Sequence, residues 1–227
     1  MKNLLWLINL LLLGLVHSAY ADDADRDRDR SQRMEDSNMT TINFSDLKNT
    51  DGVNKNIAAF AASLDISETQ SVSSGGISFE LSLQYEGTKG IAVHNPIYFV
   101  QYTLKGSDKA QLFNGGKPSI PLINRKGPID ETSDFNFNIL KIEKNGRNLN
   151  IREQANMPTI QFQRGDKLSY YLQISQYLNQ QTRQYEDLPE GVYRLELLFS
   201  IIEADTTEGS PQSRTLKAED VSVSFIK

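Results

Sequence analysis

In ISFELSLQY, residues 77–85, apolar and polar side chains alternate without a break. Successive side chains of a β-strand point to opposite faces, whereas apolar residues on one helix face recur roughly every three or four positions. The period of two therefore predicts a strand with one face on a core and one in water, as in many antiparallel sheets. The apolar face holds Ile77, Phe79, Leu81, Leu83 and Tyr85.

Further alternating segments follow, and turn-forming residues separate them. Asn145-Gly146 stands between two alternations and predicts a β-hairpin, because both residues tolerate a positive φ angle. Asn95-Pro96 predicts that a strand ends there, since proline has no N–H to donate to the hydrogen bonds between strands. Together the segments predict an all-β domain, an antiparallel sandwich or barrel of about seven to nine strands. They are residues 77–85, 91–104, 135–153, 159–174, 191–202 and 221–226.

The N-terminal residues 1–21 are predicted to be a secretory signal peptide. Lys2 precedes an apolar run, and Ala19-Tyr20-Ala21 supplies the small residues at which a signal peptidase cuts. The run, residues 4–16, is shorter than the roughly 20 residues of a membrane span, although an uncleaved N-terminal anchor is the alternative. Cleavage would leave residues 22–227 as a periplasmic or secreted protein without a membrane span.

The region after the signal is predicted to carry the β-domain rather than to belong to it. Residues 22–56 are expected to form a disordered charged linker, because their first half has almost no apolar side chains to bury. Residues 57–76 begin with a segment whose spacing fits either two helical turns or an edge strand, and they end in a flexible Ser/Gly joint. The β-sandwich domain is expected to span residues 77–227.

The composition excludes several classes of function. The chain has no cysteine, so it forms no disulfide and offers neither a Cys/His zinc site nor a cysteine nucleophile. Its formal charge is -5, and losing Lys2 with the signal makes it -6. A mildly acidic protein lacks the positive field that binds nucleic acid. We expect no cofactor and no nucleic-acid partner.

One stretch, DLPEGVYRLELLFSI at residues 187–201, resembles the corner and penultimate strand of immunoglobulin-like and fibronectin-III-like bacterial β-sandwich domains. The resemblance implies that the Tyr193 hydroxyl bonds to backbone just upstream, with Pro189 and Gly191 shaping the corner. The chain departs from these domains in having no cysteine pair and no core tryptophan, since Trp6 lies in the signal. The resemblance implies an architecture and no activity.

The clearest candidate binding residues are three tyrosines among glutamine and asparagine: Tyr171, Tyr177 and Tyr185. Tyr171 falls in the outward phase of its segment, and the other two fall in the loop before the corner. Tyrosine beside amide side chains is the composition of recognition loops, because it offers large amphipathic contact area at low entropic cost. The alternative is that these tyrosines pack onto the end of the sandwich.

Acidic residues supply the other candidate chemistry. Asp130, Glu131 and Asp134 cluster in one loop, which fits a weak calcium site or one side of a hydrolase cleft. A solvated loop explains the same residues, because most charged side chains in loops are exposed. No catalytic motif accompanies them, and His94 is the only histidine outside the signal.

The sequence as a whole predicts a non-enzymatic, exported module that binds or scaffolds a partner protein. Edges and end loops of sandwiches commonly present such contacts. Two alternatives remain open, namely a carbohydrate-binding module that uses the three tyrosines and a hydrolase that uses the loop carboxylates.

Export with cleavage gives the first testable prediction. N-terminal sequencing and intact mass of the protein recovered after export should give a chain that starts at Asp22, because Ala21 ends the signal. A recovered chain that retains residues 1–21 would contradict cleavage and support the membrane-anchor alternative.

Overall fold

The structure is a computed structural model that describes residues 39–47, 55–106, 112–115, 137–178, 185–204 and 212–227. The chain divides into two units, residues 1–38 and 39–227, and every described residue belongs to the second. The described part is mostly β, as the alternating segments predict, and its sheets are almost entirely antiparallel.

The described residues form sixteen strand segments. They are β1 Met39–Asn43, β2 Ser45–Asp46, β3 Phe60–Ser67, β4 Thr69–Ser71, β5 Ile77–Tyr85, β6 Ile91–His94, β7 Val100–Gly106, β8 Leu112–Gly115, β9 Asn138–Lys144, β10 Arg147–Asn148, β11 Thr159–Phe162, β12 Lys167–Ile174, β13 Gln176–Leu178, β14 Tyr185–Asp187, β15 Gly191–Ile202 and β16 Ser213–Ile226. Two short helices are α1 Lys55–Ala58 and α2 Ile151–Asn156, and 3-10 turns cover Val72–Ser74 and Pro96–Phe99.

Two large sheets contain most of these strands. Sheet 1 has the order β1-β3-β5-β12-β9-β10, and sheet 2 has the order β2-β16-β15-β7-β8. The short β4 joins sheet 2 by parallel pairing with the end of β16, whereas all other pairs are antiparallel. Two smaller ribbons are β6 with β11 and β13 with β14. The chain therefore passes from sheet 1 to sheet 2 at β1–β2 and again at β3–β4.

One hydrophobic core is shared by the two sheets. The odd-numbered residues of β5 are fully buried, as the alternation predicts, and they belong to the same cluster as the inward residues of β7, β15 and β16. The rings of Phe60, Tyr85 and Phe162 meet within this core at centroid separations of 4.7 to 6.4 Å. The other face of β5 is less exposed to solvent than predicted, since Ser78 and Ser82 are also buried.

The hairpin at Asn145-Gly146 is present, but its second strand is short. Asn145 and Gly146 have φ angles of 54° and 74°, as a tight turn between β9 and β10 requires. The alternation predicts that the strand continues through Ile151, and the structure instead begins α2 there. Asn150 accounts for the difference, because its side-chain oxygen accepts the Glu153 N–H at 3.0 Å and caps the helix.

The N-terminal boundaries also differ from those predicted. Residues 39–46, expected to belong to the linker, form β1 and β2 and pair with β3 and β16. The segment that begins at residue 57 is helix at α1 and then strand at β3, and β3 is internal because β1 covers its outer side. The predicted Ser/Gly joint is also structured, as Ser71 caps the 3-10 turn at Val72–Ser74.

The Asn95-Pro96 break organises one end of the domain. Asn95 is fully buried, and its side-chain amide donates to the carbonyl oxygens of Gln154 and Met157 at 2.9 and 3.0 Å. Its side-chain oxygen accepts the Ile97 N–H and the Tyr170 hydroxyl, at 3.3 and 3.0 Å. One side chain thus ties the end of β6 to α2 and to the centre of β12.

Replacing Asn95 should therefore destabilise the fold strongly. Asn95→Ala leaves buried backbone and hydroxyl groups without partners, so we expect a loss of about 3 kcal/mol in the free energy of unfolding. Asn148→Ala is the matched control, because Asn148 is exposed. Urea unfolding at neutral pH measures the free energy of unfolding of both variants. A decrease for Asn95→Ala no larger than that for Asn148→Ala would show that Asn95 does not hold β6, α2 and β12 together.

Candidate functional site

The outer face of sheet 1 carries a row of polar side chains in direct cross-strand register. Thr41 of β1 lies opposite Asp65 of β3, and Asp65 lies opposite Glu80 of β5. Glu80 in turn lies opposite Tyr171 of β12, and Tyr171 lies opposite Lys141 of β9. We call these five residues the outer row. Because directly opposite residues on one face are neighbours, the row is a continuous surface across five strands.

Tyr171, predicted to face outwards, lies half-buried at the centre of this face. Its hydroxyl donates to Glu143 Oε2 at 2.8 Å, and Lys141 Nζ lies 4.7 Å from the centre of its ring. Lys141 also pairs with Glu143 at 2.8 Å. Burial and the hydrogen bond to Glu143 raise the Tyr171 pKa, whereas Lys141 and Tyr171 outweigh burial and lower the Glu143 pKa. Both the ring and the hydroxyl therefore already have partners within the sheet.

Two carboxylates stand next to each other in the outer row. Like charges at directly opposite positions repel, so the pairing of Asp65 with Glu80 is unfavourable by itself. Lys167 offsets part of the charge at Glu80, with its Nζ 3.6 Å from the carboxylate, and the Ser82 hydroxyl donates to Glu80 at 2.8 Å. Asp65 accepts the Thr41 hydroxyl, and among the described residues no Lys or Arg pairs with it. This end of the row is therefore negative.

The β1 strand ends sheet 1 on the same side. The Phe44 N–H donates to the Ala62 carbonyl at 3.0 Å, which fixes the phase of the ladder between β1 and β3. In an antiparallel pair the residues alternate between facing the partner and facing away. Thr40 and Ile42 therefore direct their N–H and C=O groups to β3, while Met39, Thr41 and Asn43 direct theirs outwards. No strand among the described residues pairs with that outer side.

The other two predicted tyrosines lie elsewhere. Tyr177 belongs to β13 and pairs with Glu186, whereas Tyr185 belongs to β14 and pairs with Leu178, so the two are not cross-strand partners. The ribbon of β13 and β14 is separate from sheet 1, which contains Tyr171. The three tyrosine positions therefore belong to two different sheets.

The corner residues lie close together. The Tyr193 hydroxyl donates to the Pro189 carbonyl oxygen at 2.6 Å, and Tyr193 is otherwise buried. The Pro189 carbonyl lies four residues upstream of Tyr193, before β15 begins, and a Cβ at Gly191 would lie 3.5 Å from the Tyr193 ring. This is the contact that the resemblance of residues 187–201 implies.

The acidic loop of Asp130, Glu131 and Asp134 lies outside the described residues. Within the described ranges, no group of three His, Asp or Glu side chains is placed to hold a metal ion. His94 ends β6, and its ring packs edge-on against Phe99 at a centroid separation of 6.5 Å.

The tripeptide Arg164-Gly165-Asp166 matches a known adhesion signal, but its carboxylate is engaged within the domain. Asp166 accepts the Gln163 N–H at 2.9 Å and the Asn145 side-chain amide at 2.8 Å, and it pairs with Lys144 at 2.9 Å. These contacts outweigh burial and lower the Asp166 pKa. They join the turn before β12 to the turn after β9, so the motif has a structural role.

Comparison of the chain with protein-family models, with curated proteins and with solved structures finds no match in any of the three. None of the helices within the described ranges is long and apolar enough to cross a membrane. Any functional inference therefore rests on the chain's own residues.

The β1 edge is the feature that the sequence analysis missed. Its sequence, MTTIN, has too few apolar residues for a clear alternation, and it follows a strongly charged segment. The weak signal was Ile42 and Phe44, which stand two residues apart and both pack against the core.

The Asp166 contacts give a prediction for acid stability. A carboxyl whose pKa is lowered on folding stabilises the fold above its unfolded pKa of about 3.9, and that stability is lost as the pH falls through the folded pKa. Asp166→Asn should therefore lower the free energy of unfolding, relative to wild type, by about 1 kcal/mol at pH 7 and by less at pH 3. Urea unfolding at both pH values measures this, and an equal loss at both would contradict the assignment.

Proposed function

We propose that this chain is an exported, non-enzymatic module with an immunoglobulin-like β-sandwich, and that it binds a partner protein through the outer edge of sheet 1. The β1 edge carries the proposal, because it offers a row of backbone donors and acceptors with which no described strand pairs. Such edges bind extended segments of other proteins by adding a strand. The signal-like residues 1–21 support an exported location.

The order of the long strands supports the immunoglobulin-like architecture. Seven of the described strands have seven or more residues, namely β3, β5, β7, β9, β12, β15 and β16. If they are lettered A to G in chain order, sheet 1 reads A-B-E-D and sheet 2 reads G-F-C. This is the strand order of an immunoglobulin constant-type domain. The Tyr193 corner then falls near the start of strand F, where these domains carry it.

The additional strands are what distinguish this domain. β1 lies outside strand A and becomes the edge of sheet 1, and β2 and β4 lie against strand G. Without β1, the outer side of β3 would form the edge. The domain therefore presents β1, the first of its described strands, with the negative end of the outer row beside it.

A carbohydrate-binding module is the second candidate. One observation favours it, namely that the half-buried Tyr171 ring lies on a polar sheet face beside the carboxylates of Glu80 and Glu143. The separation of Tyr177 and Tyr185 from Tyr171 weighs against a shared stacking surface. The hydrolase alternative depends on Asp130, Glu131 and Asp134, which lie outside the described residues.

The proposal is tested by site-directed cross-linking, for which the absence of native cysteine is an advantage. Thr41→Cys carries a maleimide photo-cross-linker at the β1 edge, and Gln101→Cys carries it on the exposed face of β7 as the control. In the native envelope or culture fluid, the Thr41 label should capture one protein in near-stoichiometric yield, and the control label should not.

Equal capture from both positions, or none from Thr41, would contradict the proposal. A glycan array with wild type and Tyr171→Ala then addresses the second candidate. Glycan binding that is lost in Tyr171→Ala, with unfolding unchanged, would replace protein binding as the assigned function.

A further inference from the structure

We propose that the partner segment is an extended strand that bonds to Met39, Thr41 and Asn43 and carries a lysine or arginine beside the outer row. This inference rests on the proposed function, and it specifies the chemistry that the β1 edge recognises. The inference has three requirements. The outer backbone groups of β1 must be oriented to bond with an added strand, and the side chains of β1 must not block that strand. A charge beside β1 must also favour a basic segment.

The first requirement is met by the phase of the β1 ladder. Because the Phe44 N–H bonds to Ala62, the outward groups are those of the odd-numbered residues of β1. The register with β3 runs without a shift from Met39 opposite Ser67 to Asn43 opposite Ser63. The outer side is therefore regular, and an added antiparallel strand meets the N–H and C=O groups of every second residue of β1.

The second requirement concerns the devices by which edge strands usually prevent pairing. Natural edges carry proline, lysine, an inward-pointing charge or a bulge. The β1 sequence, MTTIN, has no proline and no charged residue, and its ladder has no bulge. Thr41 is exposed, and threonine is a favourable cross-strand neighbour. Nothing in β1 itself therefore prevents strand addition.

The third requirement is met by the negative end of the outer row. An added residue opposite Thr41 would lie two strand spacings, roughly 10 Å, from Asp65. A lysine or arginine side chain reaches most of that distance, and it would meet a carboxylate that no described cation neutralises. It would also relieve the repulsion between Asp65 and Glu80. A second copy of this chain would bring an uncharged β1 strand with another Asp65 behind it, so the charge favours a basic segment over self-pairing.

The decisive variant is Thr41→Pro. Among the backbone hydrogen-bonding groups proline removes the Thr41 N–H, which faces outwards, and prolines are tolerated on edge strands when the missing N–H faces solvent. Proline also removes the hydroxyl contact with Asp65 and fixes φ at roughly −65°. Thr41→Val is the matched control, because it also loses the hydroxyl contact with Asp65 but keeps the N–H. Urea unfolding measures the stability of Thr41→Pro and Thr41→Val, and the two variants should have similar free energies of unfolding.

The probe is a blocked seven-residue peptide of alternating valine and lysine, and binding is followed by NMR titration of the mature chain. The peptide should shift the amide signals of β1, and Thr41→Pro should weaken binding at least about fivefold relative to Thr41→Val. Asp65→Asn should weaken binding about two- to fivefold. The valine/glutamate counterpart and a backbone N-methylated version of the lysine peptide should bind more weakly than the probe.

Equal binding by Thr41→Pro and Thr41→Val would overturn the inference, as would the absence of β1 shifts at millimolar peptide. A dimer in sedimentation that Thr41→Pro dissolves would also overturn it, because the occupant would then be a second copy. If the Thr41 cross-linker captures a partner whose binding survives Thr41→Pro, the proposed function stands and strand addition fails. If no partner is captured, the proposed function fails, whatever the peptide does.

Discussion

The structure depends on the double pairing of β5. Its backbone bonds to β3 on one side and to β12 on the other, and its five odd-numbered side chains are fully buried. Because a shift of one residue would turn that apolar set to solvent, the core fixes the register of β5 and of both neighbouring strands. The Asn95 side chain then anchors the centre of β12 through Tyr170, and the Asp166 contacts anchor the turn at its start.

That central register also determines the outer face. The positions that alternate with the buried residues of β3, β5 and β12 are the ones that align Asp65, Glu80 and Tyr171 in a single row. The same alternation that buries the core thus produces a polar surface whose charges are set by register. At its β1 end this surface meets a row of backbone groups that no strand in the described ranges covers. The combination of this edge with the negative charge is the basis of the proposed binding function.

Local sequence signals predicted the elements that local chemistry controls. ISFELSLQY has the bounds of β5, Asn145-Gly146 forms the turn after β9, and Asn95-Pro96 ends β6. The differences come from non-local pairing or a single cap. Five-residue β1 is a strand because β3 lies beside it, and Ile151 starts a helix because Asn150 caps it. The bond from Tyr171 to Glu143 joins residues 28 positions apart, so the outward phase of Tyr171 was predictable but its partner was not.

Amide hydrogen exchange along β1 in the free protein, followed residue by residue by NMR, shows whether the outer side of β1 is open. An open edge gives an alternating pattern, in which the amides of Thr40, Ile42 and Phe44 are protected by β3 while those of Thr41 and Asn43 exchange nearly as fast as in an unfolded peptide. Equal protection of Thr41, Asn43 and their neighbours would mean that the edge is already covered, and strand addition at β1 would then be excluded.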